Sequence, residues 1–207
     1  MVAIKLYTFP LSGHAHRVHV FLSLLGLDFE LVNVDLPGGE HKQPAFLTKN
    51  PFGQVPAIDD GDLSLADSNA ILLYLANKYD ESGEWSPQEP AAAARVQQFL
   101  SLAAGKVAYG PAAARLCTLF GAKMDHQQAI TMAHAVLTEL EAYLEGKDWL
   151  VGDKPTIADV ANYTYIAHAP EGDVSLQDYA NIRAWLARFE ALPGFVPMQK
   201  SAVGLAA

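Results

Sequence analysis

Hydrophobic positions along the first third of the chain predict a mixed α/β unit. Apolar and polar residues alternate over residues 3–7, which is the two-residue period of a β-strand. From Gly13 onward, apolar side chains recur at helical spacing until Gly26, a residue type typical of helix C-termini. A second β-rich run covers residues 29–34. These elements form a βαβ unit, whose two strands should be parallel.

Two more strands and a helix are predicted before residue 80. Short apolar runs at residues 55–58 and 63–66 flank the polar segment DDGD and predict a β-hairpin. Asp67 and Ser68 then precede a helical repeat of apolar residues that ends near residue 79. The predicted order is therefore βαβ, a polar connector, and ββα.

The remainder of the chain is predicted to be helical. Residues 1–80 contain 7 alanines and residues 81–207 contain 26, and alanine is the strongest helix former. We predict an α+β fold with three parts. A mixed α/β domain covers residues 1–80, a proline-containing linker covers residues 81–90, and an all-helical domain covers residues 91–207.

Helix boundaries within the second domain follow from the same periodicity. Four helices are predicted, over residues 91–120, 125–145, 156–169 and 179–192. The first should bend at Gly110-Pro111, and the third should begin with a capping box formed by Thr156 and Asp159. The final residues, VGLAA, are expected to form a mobile tail.

Composition excludes several classes of protein. Hydrophobic residues make up 51% of the chain and charged residues 18%, which predicts a packed core. The longest stretch without Asp, Glu, Lys or Arg has 13 residues, whereas a membrane-spanning helix needs about 18 to 20. A net charge of -9 argues against extended nucleic-acid or anionic-membrane binding. The single cysteine and the absence of a secretory signal pattern predict a cytoplasmic protein.

Three separated segments resemble the cytosolic glutathione transferases: SGHAHRV at residues 12–18, GEHKQPAFLTKNPFGQVPAI at residues 39–58, and DSNAILLYLANKY at residues 67–79. In the helical half, TIADV at residues 156–160 also matches. The second segment is most similar to the plant-type phi class and related bacterial enzymes. The resemblance implies a thioredoxin-like domain followed by a helical domain, in agreement with the predicted element order. It also implies a homodimer that conjugates glutathione to a hydrophobic electrophile.

The resemblance implies where the γ-glutamyl end of glutathione would bind. A cis Val55-Pro56 bond would expose the backbone of Val55, which could pair with the tripeptide like an added strand. Ser68 and nearby amides at a helix start would hold the γ-glutamyl carboxylate, and Asp67 would meet the ammonium group. The phi pattern has Glu at position 67, so Asp67 is a departure. From the residues alone, Asp67 and Ser68 are equally typical of a helix N-cap.

A basic pair is implied at the other end of glutathione. His41 and Lys42 match the residues that meet the glycyl carboxylate in phi enzymes, with Gln54 beside them. Without the resemblance, the same pair is typical of a solvated surface loop.

Two hydroxyl groups are candidates for stabilising the glutathione thiolate. Ser12, in the loop between the first strand and the first helix, occupies the position of the catalytic hydroxyl in the serine classes of the family. Tyr7 is the alternative, because the tyrosine classes use a phenol near the end of the first strand. His14 is predicted either to face the site and orient glutathione or to be a capping or solvated residue. Arg17 could reach an anion or the partner subunit, but it is predicted to be a solvated surface arginine.

Four residues near the bend of the first long helix are predicted to contact the electrophile: Tyr109, Ala112, Arg115 and Leu116. Ordinary packing of the helical domain would explain them equally well. His14, His16 and His19 do not complete a metal ligand set, so no metal is expected. A glutathione-dependent isomerase or peroxidase, and a non-catalytic glutathione or hydrophobic-ligand binding protein, remain alternative functions.

Overall fold

The structure is a computed structural model that describes residues 3–207. The described chain divides into two compact units. The first comprises the residues up to Gly83 together with Pro193–Gln199, and the second comprises Glu84–Leu192 and Lys200–Ala207. The division thus falls inside the predicted linker, while a short C-terminal segment belongs to the first unit.

The first unit contains a four-stranded mixed sheet. Its strands are β1 (Ile4–Thr8), β2 (Phe29–Asn33), β3 (Ala57–Asp60) and β4 (Leu63–Ala66), in the order β2-β1-β3-β4. Strands β1 and β2 are parallel, which confirms the predicted βαβ unit, and β3 is antiparallel to both β1 and β4. The predicted thioredoxin-like fold class is therefore confirmed.

Helices cover both faces of this sheet. They are α1 (Gly13–Leu24), the short α2 (Pro44–Leu47) and α3 (Ser68–Tyr79). Alternation along β1 buries Leu6 on the side of α1 and α3, whereas Tyr7 on the other side meets the Phe46 ring of α2 edge-on. The period-2 pattern in the sequence thus separates the two faces of the sheet.

The predicted hairpin is present, but β3 begins two residues later than expected. Pro56 cannot donate a backbone hydrogen bond, so the ladder starts at Ala57 and includes Asp59 and Asp60. The turn is then only two residues long, and Gly61 adopts a φ of 61° there.

Asp59 and Asp60 anchor the hairpin to opposite faces of the sheet, because successive strand residues alternate in direction. Asp59 accepts hydrogen bonds from Tyr7 Oη (2.8 Å), Lys49 Nζ (2.6 Å) and Ser64 Oγ (2.5 Å). Asp60 Oδ2 accepts from three donors of α3, namely Tyr74 Oη (2.7 Å), Lys78 Nζ (2.8 Å) and Tyr79 Oη (2.7 Å).

The second unit is helical, as predicted. Its α-helices are α4 (Pro90–Leu102), α5 (Ala113–Phe120), α6 (His126–Tyr143), α7 (Ile157–Ala167) and α8 (Ala180–Glu190). A π-helical segment, Ala103–Ala112, joins α4 to α5 and contains the predicted bend. Pro111 cannot donate the usual helical hydrogen bond, and a widened turn accommodates it. At Gly110 a Cβ atom would lie 2.8 Å from the Ala133 nitrogen, so glycine permits the close approach of α6.

The predicted capping box at α7 is confirmed. Thr156 accepts a hydrogen bond from the helix, and Asp159 accepts one from the Thr156 backbone at 2.9 Å. The fully buried Asp159 carboxylate also accepts from Leu150 N (3.0 Å) and Trp185 Nε1 (2.9 Å). A local capping motif therefore also ties α7 to α8 and to the preceding loop.

The C-terminal residues contact the turn at residues 169–172, but Leu205 and the two residues after it are exposed, so the mobile tail stays a prediction. Ser201 N donates to Glu171 Oε1 at 3.0 Å, and Gly204–Ala206 forms a 3₁₀ turn. A Cβ atom at Gly204 would lie 2.7 Å from the Pro170 carbonyl oxygen, so this contact requires glycine. Across residues 3–207, no helix is long and apolar enough to cross a membrane.

Replacing Asp60 by asparagine should destabilise the first unit, because three donors lose a charged acceptor. We expect the free energy of unfolding in urea to fall by about 1–3 kcal/mol at pH 7. Burial alone would raise the pKa of Asp60, but the hydrogen bonds from Lys78, Tyr74 and Tyr79 outweigh it and lower the pKa. A lowered pKa in the folded state stabilises the protein above the unfolded pKa, and this contribution is lost as pH falls through the folded value.

The difference between wild type and Asp60→Asn should therefore narrow below about pH 4. Asp62→Asn is the control, since Asp62 is exposed in the hairpin turn. Equal unfolding free energies for wild type and Asp60→Asn at pH 7 would contradict the proposed anchor.

Candidate active site

Ser12 lies where β1 gives way to α1. Its backbone is extended (φ -84°, ψ 112°), and its Oγ caps the helix by accepting a hydrogen bond from Ala15 N at 3.2 Å. A hydroxyl that accepts through one lone pair still has its hydrogen available to donate. Ser12 is partly exposed, so this O–H and the positive end of α1 are both accessible to a ligand.

Arg17 joins the beginning of α1 to the beginning of α3. The side chain is buried, with 1% of its surface exposed, and its Nη1 donates to Ser68 Oγ (2.8 Å) and Asn69 Oδ1 (2.9 Å). The prediction of a solvated arginine is therefore wrong. A signal was present in the sequence, because Arg17 lies one helical turn before Phe21 on the apolar stripe of α1.

His14 completes this junction. Its Nδ1 lies 3.3 Å from Ser68 Oγ. Burial, assisted by the positive charge of Arg17, lowers the pKa of His14 to about 3. The imidazole is therefore neutral at physiological pH, and it can orient a neighbouring hydroxyl without adding a charge.

Asp67 caps α3 in an unusual backbone conformation. Its φ is 71° and its ψ is 120°, a region that residues other than glycine rarely adopt and that is concentrated at functional sites. Its Oδ1 accepts from Ala70 N at 2.9 Å, which matches the N-cap interpretation. The carboxylate is exposed, whereas the neighbouring Ser68 is 5% exposed.

The Val55-Pro56 bond is cis. Val55 lies outside the sheet, because the pairs between β1 and β3 begin at Ala57. Asn50 holds the preceding turn, since its Nδ2 donates to the Gln54 carbonyl oxygen at 2.7 Å. The Gln54 side chain is exposed.

The basic pair lies on a 3₁₀ turn, Glu40–Lys42. The Lys42 ammonium donates to the carbonyl oxygens of Phe52 (3.2 Å) and Gly53 (2.8 Å), which attaches it to the turn that precedes Gln54. His41 Nδ1 is buried and has no hydrogen-bond partner within residues 3–207. The structure thus brings His41, Lys42 and Gln54 to one loop pair, while His14, Arg17 and Ser68 form a second cluster.

Tyr7, the alternative hydroxyl, is engaged elsewhere. Its Oη donates to Asp59 Oδ2 at 2.8 Å on the side of the sheet that faces α2. Burial and the hydrogen bond to Asp59 raise the pKa of Tyr7. This phenol therefore has a structural partner already.

Comparisons with known proteins identify the family of the chain. Residues 2–77 match the family model of the glutathione S-transferase N-terminal domain, and residues 100–193 match that of the C-terminal domain. The chain belongs to the glutathione S-transferase family. The C-terminal match extends over the helical unit, in agreement with the predicted fold.

Relatives of this family member come from several classes. The chain is 38% identical to glutathione S-transferase 3 of Zea mays, over 94% of this chain and 92% of the relative. It is 31% identical to glutathione S-transferase theta-1 of Rattus norvegicus, over 93% of this chain and 85% of the relative. Plant and theta-class proteins are thus both similar to it, so membership of the phi class stays a prediction.

Solved structures of the family have the same fold. A glutathione S-transferase from Pseudomonas fluorescens Pf-5 superposes with a TM-score of 0.89 at 32% identity, covering 95% of this chain and 99% of that one. A glutathione transferase homolog from Drosophila mojavensis, solved with bound glutathione, gives a TM-score of 0.84 at 28% identity, with coverages of 93% and 90%.

The four residues predicted to contact the electrophile have different environments within the helical unit. Tyr109 is 62% exposed on the π-helical segment, Ala112 is buried and Leu116 is partly exposed. Arg115 is buried, and its Nε donates to Glu171 Oε2 at 2.5 Å. The enclosed guanidinium favours a packing role for Arg115, which was the alternative left open by the sequence. Within residues 3–207, no three His, Cys, Asp or Glu side chains are placed to hold a metal ion.

Gly53 should be essential to the loop that carries the basic pair. Its φ is 59°, and a Cβ atom would lie 2.7 Å from the His41 carbonyl oxygen and 3.0 Å from Lys42 Nζ. We expect Gly53→Ala to lower the free energy of unfolding by about 2–3 kcal/mol, through the positive φ and the steric overlap together.

Gly61→Ala is the matched control for this substitution. Gly61 also has a positive φ (61°), but a Cβ atom there would meet no other atom within 4 Å. It should cost only about 1 kcal/mol. Chemical denaturation of both variants measures the difference. Equal losses would show that the close approach at His41 is unimportant.

Proposed function

We propose that the protein is a glutathione S-transferase that uses the Ser12 hydroxyl to stabilise glutathione thiolate for attack on a hydrophobic electrophile. The observation that carries this proposal is the position of Ser12, whose hydroxyl hydrogen is available at the positive end of α1. The thiolate is the nucleophilic form of glutathione, and an ordinary thiol with a pKa near 8.5 is mostly protonated at neutral pH. Lowering that pKa by about two units requires roughly 2.7 kcal/mol.

The geometry favours Ser12 over Tyr7. Ser12 accepts a helix-capping bond and retains its own O–H donor, whereas the Tyr7 O–H is donated to Asp59. A tyrosine that stabilises thiolate would need a free hydroxyl hydrogen and a lowered pKa, but the pKa of Tyr7 is raised by burial and by Asp59.

Glutathione would bind to both clusters. One lies at the N-terminal ends of α1 and α3, and the other comprises His41, Lys42 and Gln54. Support comes from the family and from the glutathione-bound Drosophila mojavensis homolog. Ser68, held by Arg17, would receive the γ-glutamyl carboxylate, and the exposed Asp67 carboxylate would meet the ammonium group. Val55 would pair through its backbone, with Pro56 fixing the turn. His41, Lys42 and Gln54 would meet the glycyl carboxylate.

The electrophile would lie against the helical unit, where Tyr109, the one aromatic residue among the four predicted residues, is 62% exposed. A glutathione-dependent isomerase or peroxidase would use the same thiolate on another substrate, and a non-catalytic binding protein would bind glutathione without ionising it. The position of Ser12 favours a protein that ionises the thiol. A thiol-exchange reductase would need a cysteine nucleophile, but position 12 is serine and the single cysteine is Cys117.

Ser12→Ala should lower turnover with model aryl halides about 10²- to 10³-fold, by analogy with the loss of one anion-stabilising donor. Glutathione should still bind, because its carboxylates are held by other residues. The variant should also raise the pKa of enzyme-bound glutathione, measured by ultraviolet titration of thiolate absorbance.

Ser12→Ala also removes a helix cap, so it needs a matched control. Asp125→Ala removes the N-cap of α6, whose Oδ1 accepts from Gln128 N at 2.9 Å, and should reduce stability without reducing turnover. Tyr7→Phe should leave the pH-rate profile unchanged. Full turnover in Ser12→Ala would rule out Ser12, and a loss of turnover confined to Tyr7→Phe would assign thiolate stabilisation to Tyr7 instead.

We further propose that the chain forms a homodimer in the cytoplasm. The family resemblance supports the dimer, and Phe52 is 78% exposed, the highest value among the large apolar residues that the structure describes, so a partner subunit would cover this ring. In sedimentation equilibrium we expect twice the chain mass of 22.3 kDa, and Phe52→Ser should shift the equilibrium toward monomer. Phe120→Ser, at a residue 47% exposed, is the control. A monomeric wild type at micromolar concentration would refute the dimer.

A further inference from the structure

A cavity of about 270 Å³ lies within the first unit, at the β2 edge of the sheet. Three segments form its walls: the end of β1 and the following loop, one face of α1 with β2, and the C-terminal segment that returns to this unit. The lining residues are Thr8, Phe9, Pro10, His16, His19, Leu31, Asn33, Pro197, Met198 and Gln199.

The cavity and the proposed glutathione cluster use opposite faces of α1. His14 and Arg17 point toward Ser68, whereas His16 and His19 line the cavity. An α-helix turns by about 100° per residue, so the mean direction of His14 and Arg17 differs by about 160° from the mean direction of His16 and His19. The cavity is therefore separated from the glutathione cluster by the body of α1.

The C-terminal segment Pro193–Gln199 packs against α1 and forms one wall of the cavity. His16 Nε2 lies 2.9 Å from the Val196 carbonyl oxygen, which can only accept, so this nitrogen carries the hydrogen. At Gly194 a Cβ atom would lie 2.8 Å from the Ser23 carbonyl oxygen, so the segment approaches α1 there as well. Met198, which is 5% exposed, lines the cavity beyond these two contacts.

The chemistry of the walls is uncharged and partly aromatic. Leu31 and Asn33 lie on the face of β2 that meets α1, because they pair in register with the buried Leu6 and Thr8. Leu31 is 44% exposed, which leaves an apolar surface uncovered at the cavity. Asp, Glu, Lys and Arg are missing from the lining residues.

His19 supplies a polar group within this apolar wall. Its ring packs edge-on against Phe29 and His16 and makes no hydrogen bond to any other described residue. Burial lowers the pKa of His19, so the ring is neutral at physiological pH and offers one donor and one acceptor. A hydroxyl group on an aromatic ligand can donate to such a nitrogen while the ring packs on the apolar walls.

We propose that this cavity is a second binding site, separate from the glutathione site, for a neutral aromatic molecule of one or two rings that carries a hydroxyl group. The volume of about 270 Å³ is just below the range of about 300–1,000 Å³ typical of drug-sized ligands, which limits the ligand to this size. The uncharged walls select against anions and cations, because an unpaired charge would lose hydration without compensation.

The probe is 2-naphthol, titrated calorimetrically against the full chain in saturating S-hexylglutathione, whose peptide part occupies the proposed glutathione site and whose hexyl group occupies the proposed electrophile site. We expect one 2-naphthol per chain, and at least about tenfold weaker binding of 2-methoxynaphthalene and 2-naphthalenesulfonate. His19→Phe should keep the ring packing and remove the preference for the hydroxyl compound over its methoxy analogue.

Leu31→Lys places a charge at the cavity on an edge strand, where lysine is well tolerated, and should weaken 2-naphthol binding about tenfold. Leu63→Lys is the matched control on the opposite edge strand, since Leu63 is 37% exposed, and should bind like wild type. Near-ultraviolet circular dichroism establishes that each variant is folded. If Leu31→Lys fails to fold, Asn33→Asp replaces it as the test. This substitution adds a carboxylate to the same wall at an exposed position and should also weaken 2-naphthol binding.

The proposal is wrong if 2-naphthol does not bind in saturating S-hexylglutathione, or if the folded Leu31 or Asn33 variant binds it like wild type. It is also wrong if His19→Phe retains the preference for the hydroxyl compound. None of these outcomes bears on Ser12, because glutathione transfer is measured separately.

Discussion

The proposed glutathione site depends on a buried guanidinium that holds two helix N-termini together. Arg17 extends from α1 to the first two residues of α3 and donates to the uncharged oxygens of Ser68 and Asn69. Both helices present the positive ends of their dipoles at this junction, so a fixed positive charge there favours an anionic ligand over water. The neutral His14 is a consequence of the same arrangement, because burial and the charge of Arg17 together disfavour a second cation.

This junction also explains how an acidic chain provides a site for an anion. The net charge of -9 is a property of the whole surface, whereas the potential at a ligand depends on the few groups within several ångströms. Arg17 and the N-terminal ends of α1 and α3 create a local positive potential, which cannot be inferred from the net charge of the chain. On the 3₁₀ turn Glu40–Lys42, the Lys42 ammonium donates to the Phe52 and Gly53 carbonyl oxygens, which would fix its position before the proposed glycyl carboxylate binds.

The sequence predicts the order of elements well, because periodicity and turn residues are local signals. The βαβ unit, the hairpin, the helical second unit and the α7 capping box are all present. Environments set by long-range contacts are not visible in such patterns. Arg17 is buried against partners on α3 that lie about 50 residues away in the sequence, and the Ser201 amide donates to Glu171, 30 residues before it.

The same limit applies to the choice between the two hydroxyl groups. From sequence, Tyr7 and Ser12 are both hydroxyl residues near the end of the first strand, and only the family pattern separates them. The structure adds a physical reason. Asp59 lies within β3 opposite Lys5, and its carboxylate faces Tyr7. The carboxylate that anchors the hairpin therefore takes the phenolic hydrogen, and the hydroxyl that remains available at the start of α1 is that of Ser12.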